Sequence, residues 1–168
     1  MAVRLGDLLI ESGVLTTPQV DMILREQRDT GEPFGALAER LYAVDPAVVE
    51  AAWARQYATL TRTVNPELEE MDPNALALVT RRQAWQFRVL PIRFDPHELM
   101  MATVPQYLPR ALRFAANIIG YPVFYVMCDP EALGRALCTH YPLPGFTAES
   151  IHDCGLDGML RRARSNAA

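Results

Sequence analysis

The sequence predicts an α+β chain. An N-terminal subdomain of four short helices, arranged as tandem helical hairpins over residues 1–60, precedes a small β-β-α-β-α subdomain over residues 61–142. Three observations carry this expectation. Apolar residues follow helical spacing from Arg4 to about Gln56, and a 24-residue stretch within that region recurs at a shift of 29. From about residue 61 the pattern changes to short apolar runs separated by Pro-, Asp- and Gly-containing turns. Residues 143–168 are expected to form a C-terminal tail with one short helix in "DGMLRRARS".

The first hairpin is "RLGDLLIESGVLTTPQVDMILREQ", residues 4–27. Its first helix is predicted to stop at Gly13, because glycine takes a left-handed backbone after a helix without steric cost. The second helix has two possible starts: Thr16 with Gln19 as a capping box, or Thr17 as N-cap before Pro18. It presents Val20, Ile23, Leu24 and Gln27 on one face. After the five-residue spacer "RDTGE", the second hairpin is "PFGALAERLYAVDPAVVEAAWARQ", residues 33–56. The shift lays Gly35 on Gly6, Leu37 on Leu8, Val49 on Val20, Trp53 on Leu24 and Gln56 on Gln27, with Asp45-Pro46 on Thr16-Thr17. Three positions break the match: Pro33 stands where Arg4 was, Phe34 where Leu5 was, and Tyr42 where Gly13 was. Losing glycine at Tyr42 predicts a changed hairpin angle.

Downstream, "NPELEEMDPNALALV" holds two Pro-containing helix starts, and "RVLPIRF" and "LMMATV" read as strands around a turn at Pro96-His97-Glu98. A helix follows Pro105 with Pro109 in its first turn, then a strand "PVFYVMC", then a helix capped by Asp129 with Pro130 at its first position.

Composition excludes several functions. Half of the residues are hydrophobic, enough for a real core. No apolar run approaches the length of a membrane span and no signal-peptide core follows the first residues, so the chain is expected to be cytoplasmic with no transmembrane segment. Cys128, Cys138 and Cys154 are scattered and odd in number, the usage of a reducing compartment. A formal charge of −4 argues against a nucleic-acid partner, whose phosphates demand a basic face. All 16 basic residues are arginine, so no Walker A lysine exists and the chain is not itself a P-loop ATPase.

Arg4 beside Leu5-Gly6 offers a planar guanidinium at a helix start. Guanine O6 and N7 form two adjacent acceptors that such a fork matches. Leu5, Leu9, Val20 and Leu24 supply apolar surface for a flat base, and Gln27 either holds a ligand or caps neighbouring backbone. The same residues also read as an ordinary hairpin core with Gly6 and Gly13 at helix boundaries and Arg4 in solvent. Cys138, His140, His152 and Cys154 make a C-x-H…H-x-C array whose spacers are short for structural zinc, and a catalytic Cys–His pair there has no third group. The acidic run 67–72 reads as a solvated face, and "RRAR" (161–164) as part of the tail.

At residues 4–27 the chain resembles the tandem 24-residue motif of the MshEN domain family, the N-terminal domains of type II secretion and type IV pilus ATPases. Arg4, Leu5, Gly6, Leu9, Ile10, Gly13, Val14, Leu15, Val20, Leu24 and Gln27 match its pattern, as does the spacer to a second copy. "VTRRQAWQFRVLPI" and "ELMMATVP" resemble its later segments. Members of that family bind cyclic di-GMP, each copy holding about half of the ligand. The resemblance implies a cyclic di-GMP-binding regulatory module without catalytic activity or cofactor. Its contacts would be Arg4, Leu5, Gly6, Leu9, Gly13, Val20, Leu24 and Gln27, with Phe34, Gly35, Val49, Trp53 and Gln56 from the second copy. Pro33 cannot supply the second arginine, and Val104 stands where members carry an acidic residue. The alternative is a degenerate docking module for a protein partner in a membrane-associated secretion, pilus or exopolysaccharide machine, no longer binding nucleotide. A third possibility is a fragment of a larger ATPase or glycosyltransferase.

Overall fold

The computed structural model describes residues 3–153 together with Arg164. The chain divides into two compact units, Met1–Leu60 and Thr61–Ala168. The fold is α+β, helices first and a small sheet after.

In the N-terminal unit the four helices are α1 (Leu5–Glu11), α2 (Thr17–Thr30), α3 (Phe34–Tyr42) and α4 (Pro46–Leu60). Thr16, not Thr17, starts α2: Gln19 reaches back, its Oε1 accepting from the Thr16 backbone N–H at 2.8 Å. Gly13 lies just past α1 with φ +71°, the left-handed backbone expected there. The second hairpin keeps that turn despite Tyr42. Its left-handed residue is Ala43, with φ +52°, one place later than the repeat alignment puts it. Tyr42 closes α3 as an ordinary helical residue, and Asp45 Oδ1 accepts from the Ala47 N–H to open α4. The core of this unit is Leu9, Leu15, Val20, Ile23, Leu37, Ala38, Val44 and Val49, drawn from all four helices and the two turns.

In the second unit the two Pro-containing starts are single turns. A 3-10 turn at Pro66–Leu68 is capped by Asn65, and α5 (Pro73–Leu76) is capped by Asp72. Then come α6 (Arg81–Phe87), β1 (Leu90–Asp95), β2 (Glu98–Thr103), α7 (Leu108–Ile118), β3 (Val123–Met127) and α8 (Pro130–His140). The sheet order is β1-β2-β3, antiparallel between β1 and β2 and parallel between β2 and β3. Central β2 is buried from Leu99 to Thr103. Pro91, without an N–H, sits on an outer strand beside a register shift, where a missing donor breaks no ladder bond. Asp129 caps α8 as expected, its carboxylate accepting from the Glu131 and Ala132 N–H groups.

Two sequence expectations change here. The acidic run 67–72 is tied into the unit rather than simply solvated. Glu67 accepts twice from Arg135, Glu69 pairs with Arg93, and Asp72 caps α5. Residues 143–153 do not behave as a tail. They lie along α8, with a 3-10 turn at Ala148–His152, Ile151 fully buried, and Phe146 edge-on to Trp85 at 5.1 Å. The expected helix "DGMLRRARS" begins beyond the described residues.

The Glu67–Arg135 pair gives a pH prediction. Hydrogen bonding to Arg135 holds the Glu67 carboxyl below its ordinary 4.5. A depressed folded value contributes stability above pH 4.5, and that contribution is lost as pH falls through the folded value. Urea midpoints measured across the acid range should therefore fall less steeply for Arg135→Gln than for the parent. Because the pair is exposed, the difference is expected to be small.

Candidate functional site

The hairpins cross by a shared device. A Cβ built on Gly6 would stand 2.9 Å from Val20 Cγ1, and one built on Gly35 would stand 2.8 Å from Val49 Cγ1. Each hairpin thus packs the bare backbone of its first helix against a β-branched residue of its second, whose stiff side chain cannot easily step aside. Both glycines therefore have a packing reason to be glycine, besides the ligand approach suggested by sequence.

Between the two copies lies an open cleft of about 460 Å³. Leu5 and Gln27 line it from the first copy; Phe34, Gly35, Val49 and Trp53 line it from the second. Trp53 is 40% exposed at this wall, with Tyr57 against it at 5.6 Å. Gln27 makes no side-chain hydrogen bond to the described residues, so its amide is available to the cleft. The size, the apolar walls and the few polar groups are those of a small-molecule site.

The other predicted contacts lie apart from the lining. Leu9 and Val20 are buried in the core, Gly6 is buried beneath Val20 and Phe34, and Gly13 is an exposed turn residue. Leu24 is 37% exposed on α2. Gln56 donates from Nε2 to the Val3 carbonyl at 2.9 Å, which holds the backbone just before α1. This is the backbone-capping role that sequence left open for Gln27, adopted by its counterpart. Arg4 is exposed at the N-cap of α1, where its backbone N–H donates to Asp7 at 3.4 Å.

Four lining residues were missed by sequence reasoning. Glu39 on α3 and Glu50 on α4 both face the cleft, beside Pro33 and Pro46. The signal for Glu39 was available, since a shift of 29 lays it on Ile10, a break in the apolar pattern. Val104, in the second unit, is fully buried and caps the 3-10 turn at Pro105–Tyr107.

Among the described residues the metal and thiol candidates find no geometry. Among the described residues no group of three or more His, Cys, Asp or Glu side chains converges as metal ligands. Cys138 is half-buried on α8, 4.0 Å from the Phe146 carbonyl, while Cys154 lies outside the described residues. Cys128 is buried and its thiol is pushed up to about 12 by burial, so it is no nucleophile at neutral pH. Residues 161–163 of "RRAR" also lie outside the described residues. Among those described, no helix is long and apolar enough to cross a membrane.

The type IV pilus assembly ATPase PilB of Thermus thermophilus is 24% identical over 142 residues, covering 83% of this chain but 15% of that protein. PilB of Myxococcus xanthus is 21% identical over 151 residues, covering 90% of this chain and 26% of that protein. The chain thus spans about a quarter or less of the length of these relatives. A solved structure of MshE with cdg is similar at 23% identity and a TM-score of 0.47, covering 83% of this chain and 99% of that one. The MshEN domain pattern itself matches residues 59–146, which begin at the end of α4 and run through the whole sheet. Since that match takes in just over half of the 168 residues, the chain belongs to the MshEN domain family.

Proposed function

We propose that the chain is a nucleotide-sensing module that binds cyclic di-GMP in the cleft between its two hairpins and catalyses nothing. The observation that carries this reading is the convergence of motif residues from both copies, Leu5 and Gln27 with Phe34, Val49 and Trp53, on one cleft of suitable size. Aromatic and aliphatic walls suit a flat base, and Arg4 next to Leu5 can approach a guanine edge from the start of α1. Binding would act by favouring one arrangement of the chain, limited by the ligand's differential affinity for the states it distinguishes. Pro33 in place of a second arginine removes one charge-assisted contact. Such a contact contributes about 1.5–3 kcal/mol, so affinity should lie about 10- to 100-fold below that of a site with both arginines.

The competing reading is a docking module for a protein of a membrane-associated secretion, pilus or polysaccharide machine. It is favoured by exposed apolar side chains on the same unit, including Met22 at 50% and Leu24 at 37%. One titration separates the two. Trp53 is exposed at the cleft whereas Trp85 is fully buried, so intrinsic fluorescence reports on the cleft. Cyclic di-GMP is expected to perturb that fluorescence and to release calorimetric heat, and Arg4→Ala is expected to weaken binding about 10- to 100-fold. Neither signal at high ligand concentration would overturn nucleotide sensing and leave docking.

A further inference from the structure

The cleft carries a second feature that bears on what enters it, resting on the nucleotide reading just proposed. The N-terminal unit holds five arginines against nine carboxylates, so the whole formal charge of −4 belongs to it. Two of those carboxylates, Glu39 and Glu50, line the cleft, and no arginine does. A phosphate pushed against Glu39 would be repelled. A guanine base presented there would not, because its N1–H and N2–H₂ groups are adjacent donors and a carboxylate is a two-oxygen acceptor.

The geometry points to Glu39 as the residue that reads the second guanine, by its N1–H and N2–H₂ edge rather than by O6 and N7. Three observations agree. Glu39 is on α3, five residues after Phe34, and shares the cleft with Phe34, whose ring offers a face for the base. The equivalent of Glu39 in the first copy is Ile10, which packs against the core, so the carboxylate is a departure made only in the second copy. The same copy has lost its arginine to Pro33, which also lines the cleft. A site that can no longer donate to O6 and N7 has thus gained an acceptor for the opposite edge. The two halves of the cleft would grip two chemically identical bases through different edges, with the phosphates turned away from Glu39.

The inosine analogue of the ligand, cyclic di-IMP, isolates this contact. Hypoxanthine keeps O6, N7 and N1–H but has no N2 amine. It therefore preserves what Arg4 recognises and removes one of the two donors assigned to Glu39. Cyclic di-IMP is expected to bind the parent chain at least about 10-fold more weakly than cyclic di-GMP, and Glu39→Ile, which restores the first copy's residue, is expected to bind the two alike. Circular dichroism would verify that the variant keeps its helices. Equal binding of the two nucleotides by the parent, or undiminished preference in Glu39→Ile, would overturn the role of Glu39 while leaving nucleotide sensing intact. Failure of both nucleotides to bind the parent would overturn both readings.

Discussion

Gly134→Ala is expected to destabilise the C-terminal unit by about 3 kcal/mol, at the upper end of overpacking costs. Gly134 is buried in α8 where residues 143–153 cross it. A Cβ there would collide with the Ala148 carbonyl oxygen and stand 2.9 Å from the Ala148 carbonyl carbon and Cα. These are backbone atoms, with no rotamer to change, so either α8 or the 3-10 turn must move. Movement of that turn would also withdraw Ile151 from the core and Phe146 from Trp85. Urea unfolding followed by Trp85 fluorescence measures the loss. Gly120→Ala serves as the control, because a Cβ at Gly120 meets nothing within 4 Å, and it should be close to neutral. Similar midpoints for the two variants would show that the crossing is not held as described.

Arg88→Met is expected to cost about 3–5 kcal/mol, because several buried carbonyls lose their donor at once. Arg88 is fully buried with φ +51° between α6 and β1. Its guanidinium donates to the carbonyls of Trp85 at 3.1 Å, Gln86 at 3.2 Å and Asp153, and lies 4.6 Å from the centre of the Tyr107 ring. Burial lowers its pKa, yet an arginine remains charged at any pH the fold survives. Methionine fills comparable volume but leaves those carbonyls without their donor, each an unsatisfied group costing about 1–3 kcal/mol where it is buried. Arg88→Lys tests the geometry, since an ammonium retains the charge but cannot reproduce a planar fork reaching two chain segments. Lysine is expected to recover little of the loss in the same urea assay. Full recovery would mean that charge, not shape, is what the site requires.

Features set by neighbours in sequence were legible before the structure. Asp129-Pro130 opens α8, Gly13 closes the first turn, and Thr16 with Gln19 caps α2, because each depends on backbone groups within about four residues. Helical spacing and the repeat likewise located all four N-terminal helices. What could not be read depends on segments distant in sequence. Arginine is ordinarily a surface residue, so nothing near Arg88 announced that it would be buried and hold Asp153 across 65 positions. The docking of 143–153 turns on the missing Cβ of Gly134, which in a helical pattern reads only as a weak spot. In the candidate site, Leu5, Gln27, Phe34, Gly35, Val49 and Trp53 were anticipated and do share a cleft, whereas Leu9 and Val20 went to the core because a leucine's or valine's pattern does not say which side of a helix pair it fills. Glu39 was overlooked because a charged residue on a short helix is ordinarily solvated.

The matched contacts of Gly6 with Val20 and Gly35 with Val49 also bear on how such a chain can change over evolutionary time. In each copy the crossing is fixed by one bare backbone position and one branched side chain, and the glycine–valine contact does not involve Arg4, Leu5 or Ile10. The second copy has replaced all three, with Pro33, Phe34 and Glu39, and its hairpin retains the same glycine–valine contact as the first. A duplicated hairpin built this way can change its residues at those three positions without forfeiting its fold. Within one molecule, one and the same crossing thus carries two different sets of neighbouring residues.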